Sequence, residues 1–221
     1  ASDGLGRYLR RLGLDGPPTA LLDGRPVEVS AEVSAAGTAF SLRNLRLALG
    51  EAQVTGNARY TPAEGRTRGR FDAQIRARGL DVAGLPPLGN ALAGLHGHDL
   101  GLTIEARDLR YGATGTGNGT LSASIQSDGA ALVVDSLDVT DLAGANAKLS
   151  GRIGADGTGR VAGRLSAPVA APLLALVDRV WIAETRLIPA FLRAGALDLA
   201  VTLERDAGDA DALRLAATGQ A

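Results

Sequence analysis

From about Val27 to the C-terminus, apolar and polar residues alternate with a period of two. The segments Leu45-Arg46-Leu47-Ala48-Leu49, Phe71-Asp72-Ala73-Gln74-Ile75-Arg76-Ala77, Leu100-Gly101-Leu102-Thr103-Ile104, Leu121-Ser122-Ala123-Ser124-Ile125, Leu149-Ser150-Gly151-Arg152-Ile153 and Leu197-Asp198-Leu199-Ala200-Val201-Thr202-Leu203 carry this pattern. A strand points successive side chains to opposite faces, so each segment makes one apolar face and one polar face. Roughly a dozen such strands fit the chain, more than one small sandwich needs. Asp128-Gly129 and Asp156-Gly157 are two-residue hairpin signals, and Ala35-Ala36-Gly37 and residues 206–211 are looser turns. Most links are too short for parallel crossovers. The pattern predicts an all-β fold: a twisted antiparallel sheet forming a groove or a partly closed sandwich, with short helices at repeat junctions.

Helical spacing interrupts the alternation in three places. Leu5, Leu9 and Leu12 share one helical face near the N-terminus, with Arg7, Arg10 and Arg11 pointing elsewhere. Two Pro-led apolar patches follow, Leu85-Pro86-Pro87-Leu88-Gly89-Asn90-Ala91-Leu92 and Pro168 to Val180. Pro is tolerated in the first turn of a helix, where N–H groups have no partner in any case. Only these patches could carry the chain across the sheet.

An internal repeat organises the strands. Leu42, Leu47, Ala52, Val54 and Gly56 match Leu137, Leu142, Ala147, Leu149 and Gly151 at one constant offset. Each copy runs on through a turn, an Arg-bearing alternating strand, a Pro-led patch and a further strand. The resulting division is a helical lead-in or end of a preceding repeat over 1–24, a first β repeat with a short helix over 25–95, a second with a helical patch over 96–195, and the start of a further repeat over 196–221.

Composition removes several functions. With 23 basic and 24 acidic residues among 221, dispersed along the chain, the net charge is −1. That balance argues against nucleic acid as a partner. Lys148 is the only Lys, and Arg, Ala and Gly abound, as a GC-rich genome would produce. Without Cys there is no disulfide framework and no thiolate chemistry. The absence of Met, even at position 1, points to a piece excised from a longer precursor or to a processed product whose targeting segment is not shown. No uninterrupted apolar run reaches the roughly 18 residues of a spanning helix.

No constellation of catalytic residues emerges, and the chain reads as a non-enzyme with no cofactor. There is no G-x-S-x-G elbow, and the two His residues fall in a single loop. His96-Gly97-His98-Asp99 lacks a third metal ligand at useful spacing, so the pair reads as solvent-exposed. Gly115-Thr116-Gly117-Asn118-Gly119 precedes an alternating strand rather than a helix and has no Lys, which excludes a phosphate loop. Asp128, Asp135, Asp138 and Asp141 read as solvated surface, and Trp181 as a packing anchor.

The phrase Gly97-His98-Asp99-Leu100-Gly101-Leu102-Thr103-Ile104-Glu105-Ala106-Arg107-Asp108-Leu109-Arg110-Tyr111-Gly112 resembles a stretch of AsmA-family proteins. Gly119 to Ile125, Leu132 to Val139 and Gly144 to Arg152 follow in that family's order, and Leu42 to Tyr60 looks like an earlier copy of the last element. The resemblance spans about residues 25–205 and rests on β patterns of low complexity. It implies a periplasmic protein, tethered to the inner membrane by a part absent here, whose curved sheets hold phospholipid acyl chains in an apolar groove. It further implies support of outer-membrane phospholipid transport and envelope biogenesis. On that reading the lipid-facing positions are Ala73, Ile75, Leu102, Ile104, Leu121, Ile125, Leu149, Ile153, Val161 and Leu165. A buried acyl methylene gains about 0.8 kcal/mol, so a 14-carbon contact is worth on the order of 10 kcal/mol before ordering costs. The alternative reading is a structural or adhesive β-sandwich or β-solenoid that buries the same residues in a closed core. A carbohydrate module is disfavoured, since aromatics make up only 3% of the chain.

Overall fold

Period-two alternation yields strands wherever it occurs among the residues that the computed structural model describes, namely 27–84, 98–111, 118–154, 158–173, 175, 195–205 and 213–220. The strands are β1 (Val27–Ala36), β2 (Ala39–Leu49), β3 (Ala52–Thr61), β4 (Gly69–Arg78), β5 (His98–Leu109) and β6 (Gly119–Ser127). They continue with β7 (Ala131–Leu142), β8 (Ala145–Gly154), β9 (Gly159–Ala167), β10 (Leu197–Arg205) and β11 (Leu213–Gln220). All eleven belong to one sheet in sequence order, β1 to β11, with no pairing between the first and the last. The fold is all-β and the sheet is open. Helix among the described residues is confined to a 3-10 turn at Val82–Gly84 and to residues 170–173 and 175. The expected helical lead-in over 1–24, the whole of the first Pro-led patch and residues 174 and 176–180 of the second lie outside the described residues.

One pairing departs from the antiparallel expectation. β4 and β5 run parallel, with Gly69 opposite His98 and Arg78 opposite Arg107, whereas every other neighbouring pair is antiparallel. The link between them, residues 79–97, exceeds the dozen or so residues that a parallel return requires. The corresponding patch between β9 and β10 returns the chain antiparallel, with Leu197 opposite Ala167. The two repeat copies therefore match in their hairpins and differ in how their patches connect.

Four spacings of three interrupt the alternation, and each is a β-bulge. Leu42/Leu45 on β2, Ala106/Leu109 on β5, and Val134/Leu137 and Val139/Leu142 on β7 each oppose two positions on the next strand. An extra residue would flip all later side chains to the other face unless the sequence shifted phase with it. Here it does, so Leu42, Leu45 and Leu47 stay on one side. Asn44, Asp108 and Asp141 take left-handed φ values of 52°, 53° and 49° at these bulges, a conformation that Asn and Asp tolerate better than most residues. The Asn57 side chain accepts a hydrogen bond from Asn44 N–H at 3.0 Å, and the Asn146 side chain accepts one from Asp141 N–H at 3.1 Å.

The glycines that match between the repeat copies have a shared physical cause. A Cβ at Gly56 would run into the carbonyl oxygen of Gln74 on β4, and one at Gly151 into that of Arg160 on β9. Close backbone approach leaves room for hydrogen only. Gly151→Val should therefore lower stability by about 1–3 kcal/mol, whereas Thr120→Val on the exposed polar face should stay within about 0.5 kcal/mol. Urea midpoints of the two variants against the parent chain measure this, and equal midpoints would refute the close approach.

The β6–β7 turn is held by Asp128, whose carboxylate accepts the N–H groups of Ala130 and Ala131, each at 3.0 Å. The bonds from Ala131 and then Ala130 hold its carboxyl below the ordinary value, against a smaller opposing desolvation. Because the folded pKa lies below the unfolded one, the contribution is present above the unfolded pKa and is lost as pH falls through the folded pKa. The amide resonances of Ala130 and Ala131 should titrate with a midpoint below that of an unperturbed Asp. Asp128→Ala should abolish that titration.

Candidate functional site

Registers carried from strand to strand place the apolar residues in transverse rows on one face. One row crosses all eleven strands: Val33, Leu42, Ala58, Ala73, Leu102, Ile125, Val134, Gly151, Val161, Leu203 and Leu215 are successive pairing partners. A second row contains Gly56, Ile75, Ile104, Ala123, Leu137, Leu149 and Gly163. A third contains Ala106, Leu121, Val139, Ala147 and Leu165. Ile153 pairs with Leu132, which pairs with Ser127 in a fourth row. All ten positions singled out from the sequence thus share one face of a single sheet.

That face is closed at one end and half-open along its middle. At the end marked by the β5, β7 and β9 C-termini, Ala106, Leu109 and Leu142 are buried, with Leu80, Val82, Tyr111 and Leu121 packed against them. Beside them Ala145, Ala167, Ala170, Leu173 and Leu197 form a second buried group, joined by Leu165 and Leu199. Leu121 and Leu165 therefore border these end clusters, and Ala73 is buried within the sheet's own face. Ile75, Leu102, Ile104, Ile125, Leu149, Ile153 and Val161 are half-buried. None of them belongs to either buried cluster.

The opposite end carries an aromatic row that alternation alone did not single out. Phe40 pairs with Tyr60, and Tyr60 with Phe71, on the apolar face of β2, β3 and β4. The rings of Phe40 and Tyr60 lie 5.3 Å apart at 31°. His98, expected to be solvent-exposed, is instead the half-buried first residue of β5 and faces this row. Its ring centroid lies 5.5 Å from that of Tyr60, and Tyr60 Oη and His98 Nε2 are hydrogen-bonded at 3.2 Å. The imidazole is drawn inward because its pairing partner Gly69 offers no side chain, and a Cβ there would strike the ring. His98 Nδ1 is buried without a hydrogen-bond partner. His96 lies outside the described residues. No group of three or more His, Asp or Glu side chains converges among the described residues.

Opposite this face, the polar residues are knitted by ion pairs between strands. Arg76 meets Glu105 at 3.0 Å, Lys148 meets Asp138 at 3.3 Å and Arg164 meets Asp198 at 3.0 Å. Asp135 accepts hydrogen bonds from Ser124 at 3.0 Å and Gln126 at 2.8 Å. Of the two carboxylates read as solvated, Asp135 is exposed and Asp138 half-buried, and both are paired across strands. Two shallow depressions, about 290 and 500 Å³, border this side, the first lined by Arg46, Asn57, Gln74, Arg76 and Glu105 and the second by Glu28, Ser30 and Gln53. The first spans β2 to β5 and the second β1 to β3, and in the first Arg76 and Glu105 already satisfy each other. The apolar face has the stronger claim to function, because its side chains lack partners that the polar ones possess.

No family model, no curated protein and no solved structure matches the chain.

Gly69→Ala should displace the His98 ring and cost about 1–3 kcal/mol by overpacking. His98→Ala in the same chain should recover most of that loss, an interaction energy that a double-mutant cycle reads directly. Additive effects would mean that Gly69 and His98 are not coupled.

Proposed function

We propose that the chain is a non-enzymatic, acyl-chain-binding segment of an AsmA-like envelope protein, and that the apolar face is its binding surface. The parent protein is periplasmic, is tethered to the inner membrane through a part not present here, and supports phospholipid transport to the outer membrane. The observation that supports this reading is the unbroken phase of the apolar rows: bulges that would have turned residues to the polar side are compensated, so a greasy strip continues from strand to strand. Along this strip the side chains are almost all Ala, Val, Leu and Ile, which offer a methylene chain contact everywhere and a hydrogen bond nowhere. Each acyl methylene moved from water onto such a surface gains up to about 0.8 kcal/mol. Phospholipid acyl chains, which present no hydrogen-bonding groups of their own, fit this chemistry.

The rival reading is a structural or adhesive module with a closed core. The two buried clusters at the near end favour it, and the lack of pairing between β1 and β11 speaks against it. The readings separate on the accessibility of the middle of the face. A photocrosslinker at Ile104, Leu149 or Ile153 should capture phospholipid in cells that produce the protein, and one at Arg76, Glu105 or Arg152 should not. Leu149→Asp and Ile153→Asp should abolish capture at neighbouring positions while the chain still folds, since a charge interrupts the strip at a site that water already reaches in part. Absence of lipid adducts on both faces, with unfolding of both Asp variants, would overturn the lipid reading in favour of the closed module.

A further inference from the structure

One stretch of the apolar face is shaped as a trough. The registers set Leu47–Val54–Ala77, Leu45–Gly56–Ile75 and Leu42–Ala58–Ala73 as successive rows across β2, β3 and β4. Alternate residues of a strand share a face, so β3 supplies a floor of Val54, Gly56 and Ala58 between the β2 leucines and a β4 wall that carries Ile75. All of these are half-buried except Ala73, which is buried. At the matching repeat positions β8 carries Leu149 and Ile153 in place of Val54 and Ala58, so the floor there is raised. From Val54 to Tyr60 the trough runs about 20 Å at roughly 3.3 Å per residue. One acyl chain spans about half of the roughly 30 Å hydrocarbon thickness of a bilayer, so a single chain fits this length. At the Val54 end, Ala77, Leu80 and Val82 pack against the buried cluster.

The other end is polar. At regular ladder positions of this face, the polar side chains among the described residues are Tyr60, His98 and Ser127, all in or beside the aromatic row. Ser127 Oγ accepts the Gly129 N–H at 3.5 Å. Tyr60 and His98 hold each other, and the direction of their hydrogen bond follows from the buried, unpartnered Nδ1. A buried N–H without an acceptor is rarer than a buried lone pair without a donor, which assigns the imidazole proton to Nε2, donating to Tyr60 Oη. The Tyr60 hydroxyl proton then has no acceptor among the described residues. A free donor stands at the open end of an apolar trough.

We propose that this hydroxyl anchors the head of an acyl ligand by donating to a carboxylate or ester carbonyl oxygen, with the chain along the β3 trough and its methyl end towards Val54. The inference rests on the acyl-binding reading of the face and adds to it a fixed polarity and a head-group chemistry. Carboxylate and carbonyl oxygens accept hydrogen bonds and donate none, which matches a site whose unused group is a donor. His98 is the positioning residue that holds the phenol oxygen. Phe40, 43% exposed with its ring 5.3 Å from that of Tyr60, extends the apolar contact to the carbons next to the head.

Photolabelling of the purified full chain tests this. One pair of probes is palmitic acid with a diazirine next to the carboxyl group or at the methyl end. A second pair is phosphatidylglycerol vesicles whose acyl chains carry the diazirine next to the ester or at the methyl end, and adducts are located by mass spectrometry. Head-proximal probes should label Phe40, Tyr60 or Phe71, and methyl-end probes Val54, Ala77 or Leu80. Such labelling from palmitic acid alone assigns the site to free fatty acids, and from the vesicles to the ester carbonyl. Tyr60→Phe keeps the ring and should lower head-proximal labelling about three- to tenfold, the effect of one lost hydrogen bond, with the urea midpoint showing that the variant is folded. Ala58→Leu, which fills the floor at a half-buried position, should lower labelling by both probes within the trough and spare the rest of the face. Labels spread without polarity, or unchanged by Tyr60→Phe, would overturn the anchor and leave the acyl reading standing. No labelling of the apolar face by any probe would overturn both.

Discussion

Phase is the constraint on which this sheet depends. A sheet with one apolar face tolerates no strand that slips by a single residue, because a slip moves every apolar side chain of that strand into water. Eleven strands in sequence order must each solve this problem, and three of them, β2, β5 and β7, do so while carrying an extra residue. The compensation is written locally: a spacing of three between apolar residues, with Asn or Asp in the left-handed conformation at three of the four bulges. Without it, Phe40 and Leu42 would leave the row that Tyr60 and Ala58 define. The bulges also raise local twist and bend the strand that holds them, so the feature that preserves the apolar face also shapes it.

The two faces divide the energetics unequally. Ion pairs of the polar face are well exposed, with side-chain exposures of 77% and 52% for Arg76 and Glu105 and 75% and 55% for Arg164 and Asp198. Pairs of that kind contribute about 0–1 kcal/mol each. Their value lies in register, since an opposite-charge neighbour across the strand favours one alignment over its alternatives. Stability has to come from the apolar side, and there it is concentrated in the two clusters at one end, where Leu109, Ala145 and Ala170 are at most 2% exposed. In the middle of the face Ala73 and Ala123 are buried, but the larger side chains Ile75, Leu102, Ile104, Ile125, Leu149 and Val161 are only partly withdrawn from water and contribute less.

Fold class and the shared face were legible in the alternation, because period two is a property of each strand taken alone. Ala73, Ile75, Leu102 and Ile104 could be assigned to one side without knowing what pairs with them, and the register places them together. Features that depend on two strands at once were not legible. The parallel pairing of β4 with β5 is decided by where a long link returns, and nothing in Leu85 to Leu92 distinguishes it from the corresponding patch before β10. The aromatic row escaped notice because Phe40 and Tyr60 become partners only through the bulge at Asn44. His98 looked exposed because its sequence neighbours are Gly97 and Asp99, whereas its position is set by Gly69 on the adjacent strand. A signal was present in the three-residue spacings Leu42/Leu45, Val134/Leu137 and Val139/Leu142, which mark a change of phase.

Half-buried apolar side chains in the middle of a sheet pose an energetic problem that a closed core would not have. Every square ångström of apolar surface left in contact with water forgoes about 25 cal/mol of stabilisation, and a contiguous strip of this kind is uncommon on a protein surface unless something occupies it. On the proposed function the occupant supplies the missing burial, and folding and binding become linked: a molecule that binds the folded sheet and not the unfolded chain raises stability by mass action. The stable end clusters then hold the strands in register while the middle stays available. A core packed tightly throughout would be more stable and would have no surface to offer. Small or end-row residues that are buried, with the larger Ile, Leu and Val side chains between them only partly so, let a sheet keep its register and still present an apolar face to a partner.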